Sequence, residues 1–369
     1  MSLTFLVFGA VLPSLNPPAM QTRLVKDEAA LNRRIEKKVA ELKIPGVVVD
    51  VARGNKSWTA SYGVSDLDTR QKMAANMHVR VGSVTKTFVT TLALMLADQG
   101  KIDLNAPVSR YLDGVPNGEK ITVWMLGSMT SGLPSYTFDP EFQKNIFTNP
   151  ESRYTADQLL ELAFKSPMQS KPWTEFYYCN TNTILLGKII SKVTGKALPA
   201  ALKENILAPL KLSNTSWPSD GQMPSPYAHG YTLQNLVGRR TDATFNDPSW
   251  ANAAGELISN ARDLRKWAKV LGTGSLLQPA TQKRRLEFNG LKPNQKERYY
   301  GFGMGKSAGW VGHTGTLPGY NVCCYYLPSH DMTIVTIANS DMPTKEGLPA
   351  SAIMMEITKV VTPKNVARS

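Results

Sequence analysis

The sequence predicts an α/β (α+β) fold: an antiparallel sheet built from both ends of the chain, flanking helices, and an all-helical lobe inserted in the middle. Three observations predict it. A helical stretch at residues 27–43 is followed at once by strand-like runs at 46–53 and 57–62. Strand-like runs return only late, at 299–304, 321–327 and 332–338, before a last helical stretch at 347–360. Between them, residues 105–250 mix short helical segments with Pro-, Ser- and Asn-rich loops and carry no strong strand pattern.

Each element has a local cause. Leu31, Ile35, Val39 and Leu42 recur at helical spacing, and Pro45-Gly46 ends that pattern. The run GVVVDVAR over 46–53 is rich in β-branched residues, which suit a pleated surface. Residues 84–99 are apolar on most sides, the mark of a helix buried all round, and Gly100 ends it. In the middle, 155–165 and 182–194 are the clearest helices, the second closed by Gly195. Gly-rich or Pro-Ser-His-Asp turns separate the late strands. Cys323 and Cys324 are neighbours in one of these strands and are expected to face opposite sides. The expected organisation is one domain over 24–369, with an α/β lobe from about 24–82 and 250–369 and a helical lobe over about 83–249.

Composition narrows the function. The chain has 369 residues, 42% hydrophobic and 19% charged, which describes a globular protein. Its net charge is +13, but Lys and Arg are scattered. The densest group, Arg33-Arg34 with Lys37-Lys38, falls on a helical stretch and reads as a solvated face, so no nucleic-acid partner is expected. Three cysteines do not make a disulfide framework and read as small buried hydrophobes. Four histidines without H-E-x-x-H or C-x-x-C spacing, and no phosphate-cradling glycine loop, lead us to expect neither metal nor cofactor. The apolar run at 3–15 is too short to span a bilayer and fits the core of a secretory signal within residues 1–20. No Lys or Arg precedes it, and Pro18-Ala19-Met20 is a poor cleavage site. Export is the expectation, and a cytoplasmic chain with an irregular start before Met20 is the alternative.

Ser83-Val84-Thr85-Lys86 is an S-x-x-K motif at the head of the buried helix. Positions i and i+3 share a helix face, so the amine can reach the hydroxyl. Serine becomes a nucleophile when a neighbouring base takes its proton, and burial can lower a lysine's pKa enough for that task. Gly82 allows a sharp turn into the helix, whose unpaired N–H groups can hold an oxyanion. Two further motifs come later in the chain, in order: Tyr178-Cys179-Asn180, 95 residues after Ser83, and His313-Thr314-Gly315, 135 residues after Tyr178 and just before a predicted strand. Gly305-Lys306-Ser307-Ala308-Gly309 matches G-x-S-x-G, but the residues after it are Gly-rich and strand-like, where a nucleophile elbow needs a helix.

On these motifs the chain resembles the serine DD-peptidases and class C β-lactamases, and most closely the soluble D-alanyl-D-alanine carboxypeptidases. Residues 79–86, 98–112, 178–182, 254–259 and 312–320 carry the resemblance, which covers about 24–360. It implies a β-lactamase/transpeptidase-like fold. It also implies that Ser83 forms an acyl-enzyme and that Lys86 and Tyr178 shuttle its proton. Asn180 would hold the substrate's amide side chain, and the N–H groups of Ser83 and Thr316 the oxyanion. The Thr314 and Thr316 hydroxyls would meet a terminal carboxylate. Gly315 belongs to the same motif, His313 stands where most β-lactamases carry lysine, and Trp250 would line the cleft. The chain departs from the pattern at Met129, where the family usually has histidine, and at Cys179, where Ser or Ala is commoner. The carboxypeptidases' carboxylate-binding arginine has no clear counterpart, Lys306 being a weak candidate. The implied activity is hydrolysis of D-Ala-D-Ala peptides or β-lactams. An esterase, a class C-type β-lactamase, a D-aminopeptidase and a non-catalytic binding module are the alternatives, and the oligomeric state stays open.

Overall fold

The two ends of the chain meet in one sheet, and the helical lobe hangs from its middle. The computed structural model describes residue 24 and residues 27–287 and 298–367, so the expected signal in residues 1–20 lies outside the described residues. The first elements are α1 (Glu28–Glu41), β1 (Gly46–Arg53) and β2 (Lys56–Gly63). β3 (Val79–Arg80) leads through a 3-10 turn at Gly82–Val84 into α2 (Thr85–Asp98). The lobe adds α3 (Val123–Gly127), α4 (Pro140–Thr148), α5 (Ala156–Phe164), α6 (Asn180–Thr194) and α7 (Leu198–Leu202). Next, β4 (Tyr231–Thr232) pairs with β5 (Thr241–Asp242). After α8 (Asn252–Gly255), β6 (Ile258–Ser259) pairs back with β3. Then come α9 (Ala261–Thr273), α10 (Pro279–Arg285), β7 (Arg298–Tyr300), β8 (Gly305–Ser307), β9 (Trp310–Leu317), β10 (Tyr320–Leu327), β11 (Met332–Ala338) and α11 (Pro349–Val361).

The main sheet has the order β2-β1-β11-β10-β9-β8-β7, and its neighbours are antiparallel. Side-chain alternation splits the core in two. On one face Val47, Val49, Val51, Cys323, Ile334 and Ala338 pack with Leu31 and Ile35 of α1 and with Ile353 and Ile357 of α11. On the other, Val48, Val322, Cys324, Val335 and Ile337 join the larger core of α2, α6 and α9. Cys323 and Cys324 therefore face opposite sides, and all three cysteines are free and buried. No helix among the described residues is long and apolar enough to cross a membrane.

Two strand expectations are corrected. The run at 299–304 is not one strand: it splits into β7 and β8 around a turn in which the Gly301 N–H donates to the Met304 carbonyl at 2.9 Å and Gly303 has φ +74°. His313-Thr314-Gly315 lies within β9 rather than ahead of a strand. The glycines and threonines of β9 hide it from an apolar pattern, and they are there for backbone approach. A Cβ on Gly315 would sit 1.8 Å from the Val81 carbonyl oxygen and 3.1 Å from Ser83 N. Contact that close between β9 and the head of α2 joins the sheet to the helical lobe.

α9 fastens α2 to the sheet. The Trp267 ring stacks on Phe88 with centroids 3.8 Å apart, and its indole N–H donates to Thr87 Oγ1 at 2.7 Å. Trp267→Ala is expected to cost about 3–5 kcal/mol in a chemical denaturation measurement. A loss under about 1 kcal/mol would contradict this account of the junction.

Candidate active site

Ser83 sits in the 3-10 turn that opens α2, held there by Gly82 at φ +51°. A side chain at Gly82 would meet Thr316 N at 2.6 Å, so the turn and β9 lie backbone to backbone. The main chains of Ser83 and Thr316, the two expected oxyanion donors, are brought together in this way.

Lys86 lies one turn further along α2 and is fully buried. Its Nζ is 2.9 Å from Ser83 Oγ and donates to the Ala254 carbonyl at 2.7 Å. Burial pushes its pKa down to about 7, so near neutral pH a large share of the amine is free to take a proton. Tyr178 also interacts with Ser83, and its ring centroid is 5.0 Å from Lys86 Nζ. Burial raises the phenol's pKa well above its usual value, so Tyr178 holds its proton in the resting site. Ser83 thus has a base within hydrogen-bonding distance in Lys86 and a phenol that keeps its proton beside it in Tyr178.

Asn180 stands at the head of α6. Its N–H donates to Ser135 Oγ and its Nδ2 to Thr137 Oγ1, each at 3.2 Å. His313 is buried on β9, and its Nδ1 contacts the Thr314 carbonyl oxygen at 2.5 Å. With Nδ1–H as donor there, Nε2 accepts from the Tyr300 hydroxyl at 3.0 Å. Burial and the neighbouring Lys86 hold the His313 pKa down to about 4, so the imidazole is neutral. The His313, Tyr178 and Tyr300 rings pack together with centroids 5.7–6.0 Å apart.

Ser83, Asn180, Trp250 and Thr316 all line one cleft of about 580 Å³. His313 stands behind that lining, against Tyr178. Thr314 lines a separate small cavity with Ser307, Trp310, Cys323 and Tyr325. Thr314 lies two residues before Thr316 on β9 and so shares its strand face, but only Thr316 is among the residues lining the cleft. Lys306 lies at yet another surface, beside Ala308, Gly309 and Lys364. Ser307 ends β8 and leads by a turn into β9, without the helix an elbow requires. Cys179 is buried with its Sγ 3.5 Å from the Pro134 carbonyl oxygen, and Met129 Sδ lies 3.5 Å from Asn182 Nδ2.

Sequence reasoning misses Ser135, Thr137 and Tyr300, the polar partners of Asn180 and His313. Nothing local marks them, since each acts on a residue at least 13 positions away. The Ala254 carbonyl falls in the stretch 254–259 that carries part of the resemblance, but its bond to Lys86 spans 168 residues. Among the described residues no group of three or more His, Cys, Asp and Glu is placed to hold a metal ion.

A protein-family model described as Beta-lactamase matches residues 31–358. Protein flp of Staphylococcus aureus (strain N315) is 26% identical over 328 residues, covering 86% of this chain and 64% of that relative. The chain thus spans less than two thirds of the length of that curated protein. Among solved structures, the D-stereospecific amidohydrolase from Streptomyces sp. aligns with a TM-score of 0.82 and 30% identity, over 91% of this chain and 99% of that one. The D-amino acid amidase from Ochrobactrum anthropi SV3 in complex with D-phenylalanine aligns with a TM-score of 0.75 and 25% identity, over 85% and 92%.

The low Lys86 pKa sets a pH dependence. Below about 7 the amine is protonated and cannot accept the Ser83 proton, so kcat/KM should fall about tenfold per pH unit on the acid side and level off above about 8. A profile that stays flat from pH 5 to 8 would contradict Lys86 as the base.

Proposed function

The chain belongs to the β-lactamase family and is a serine hydrolase of that fold, and from that premise we propose that it hydrolyses amides of D-amino acids through an acyl-enzyme on Ser83. Lys86 takes the Ser83 proton as Oγ attacks the amide carbonyl. The backbone N–H groups of Ser83 and Thr316 hold the oxyanion. Tyr178 passes a proton to the departing amine, and the C–N bond breaks to leave the ester on Ser83. Water then attacks that ester, and Oγ recovers its proton.

One observation carries the choice of substrate. No Asp, Glu, Lys or Arg is found among the described residues lining the cleft. A peptide ending in D-Ala-D-Ala would bring its carboxylate there with no cation to meet it, and an unpaired charge taken from water is costly. An amino acid amide has no carboxylate to pair, and its α-amino group, with an ordinary pKa of about 8, can enter the cleft uncharged at small cost. The walls suit an apolar acyl group, with Phe142, Ile146, Phe147, Leu233, Leu236 and Trp250 among the lining residues. The names of the amidohydrolase and amidase relatives support both the amide bond and the D configuration.

A D-alanyl-D-alanine carboxypeptidase or β-lactam hydrolase is the second reading, favoured by the histidine of the third motif. A substrate panel separates the two. The amide reading expects kcat/KM for D-phenylalanine amide to exceed that for an N-acetylated D-Ala-D-Ala peptide, and for L-phenylalanine amide, by about 100-fold. Preferred turnover of the D-Ala-D-Ala peptide, or loss of benzylpenicillin faster than of the amide, would overturn it.

A further inference from the structure

At the end of the sheet away from Ser83, segments far apart in sequence close a second groove of about 670 Å³. The catalytic cleft takes Leu317 from the Leu317–Tyr320 end of β9 and β10. The second groove takes Asp331 and Thr333 from the Leu327–Met332 end of β10 and β11. One strand of eight residues lies between them, roughly 25 Å at ~3.3 Å per residue.

The groove is cationic. Lys56 comes from β2 and Lys211 from the loop after α7, while α9 supplies Arg262, Arg265, Lys266 and Lys269. The two carboxylates that line it are engaged. Asp263 accepts from Asn214 N at 2.8 Å and from Thr215 Oγ1 at 3.0 Å. Asp331 pairs with Lys269 at 3.1 Å and accepts from the Tyr326 hydroxyl at 3.0 Å. Arg265 is paired with Asp50 at 3.1 Å, and Lys266 donates to the Leu210 carbonyl. Arg262 and Lys211 have no ion-pair partner among the described residues, so positive charge is left over. Positions 262, 265, 266 and 269 are spaced i, i+3, i+4, i+7, so α9 presents its cations as one stripe about 10 Å long at 1.5 Å rise per residue.

We propose that this groove binds an extended polyanion carrying phosphate groups, at a site separate from the catalytic cleft. A single phosphate would meet two or three of these cations, whereas a chain of phosphates can run along the stripe between Lys56 and Lys211. Phosphate oxygens also suit the neutral donors of the walls, Ser57 and Ser213. Such binding weakens steeply with salt, because each contact releases a counterion.

The test is fluorescence anisotropy of the full chain with labelled short-chain inorganic polyphosphate at low ionic strength. The groove variant combines Lys211→Glu with Arg262→Glu. A charge-matched control combines Arg33→Glu with Lys37→Glu on the exposed face of α1. The proposal expects the groove variant to raise Kd at least about tenfold and the control less than about twofold, with amide hydrolysis unchanged in both. Lys211→Gln alone, which leaves the rest of the groove intact, should raise Kd about threefold. Equal weakening in groove and control variants would show attraction to net charge alone and overturn the site. Competition by inorganic phosphate at equal phosphate concentration, or no binding by the wild type, would overturn it as well.

Discussion

The site depends on burying a single amine. Lys86 is enclosed by α2 and its neighbours, and that enclosure moves its pKa from the usual range to about 7. In water, a lysine beside a serine would stay protonated at neutral pH and give the hydroxyl nothing to react through. The apolar character of α2 is therefore part of the chemistry as well as of the core. The same dryness acts on its neighbours. His313 is kept neutral by burial and by the proximity of Lys86, and Tyr178 keeps its proton. A pocket this dry disfavours several charges at once, and it leaves a base, a proton donor and a neutral ring around one hydroxyl.

Backbone contact keeps that pocket closed and correctly spaced. Gly82 and Gly315 let the turn before α2 and strand β9 approach to distances that no Cβ permits. This contact, together with the Trp267–Phe88 stack, ties the helical lobe to the sheet. The nucleophile comes from the turn before α2 and the base from α2, the tyrosine and Asn180 from the lobe, and one expected oxyanion donor from the sheet. The cleft is formed where the two meet, and α8 closes it by turning the Ala254 carbonyl toward Lys86.

Much of this is legible in the residues, and the remainder is hidden for physical reasons. The periodicity of 27–43 and 84–99 and the β-branched run at 46–53 mark α1, α2 and β1 because each buries a continuous apolar surface. The S-x-x-K and Y-x-N motifs name residues that the fold brings into contact. β9 escapes a reading by pattern because its central residues are chosen for close backbone approach, which leaves no hydrophobic alternation to read. The H-T-G motif places its residues on one strand but does not say how far along it the cleft reaches, and of the two threonines only Thr316 lines it. The partners Ser135, Thr137 and Tyr300 and the cationic groove arise only when distant segments fold together. The densest basic cluster in the sequence, on α1, is a different surface from the groove.

The most direct test of the central claim is covalent trapping. An activated phosphonate ester bonds stably to a serine that has a functioning base beside it, and intact-protein mass spectrometry with peptide mapping locates the adduct. The account predicts one adduct on the wild type, on the peptide containing Ser83, and none on Ser83→Ala with its fold intact. An adduct that persists in Ser83→Ala, or one that maps to Ser307, would contradict it.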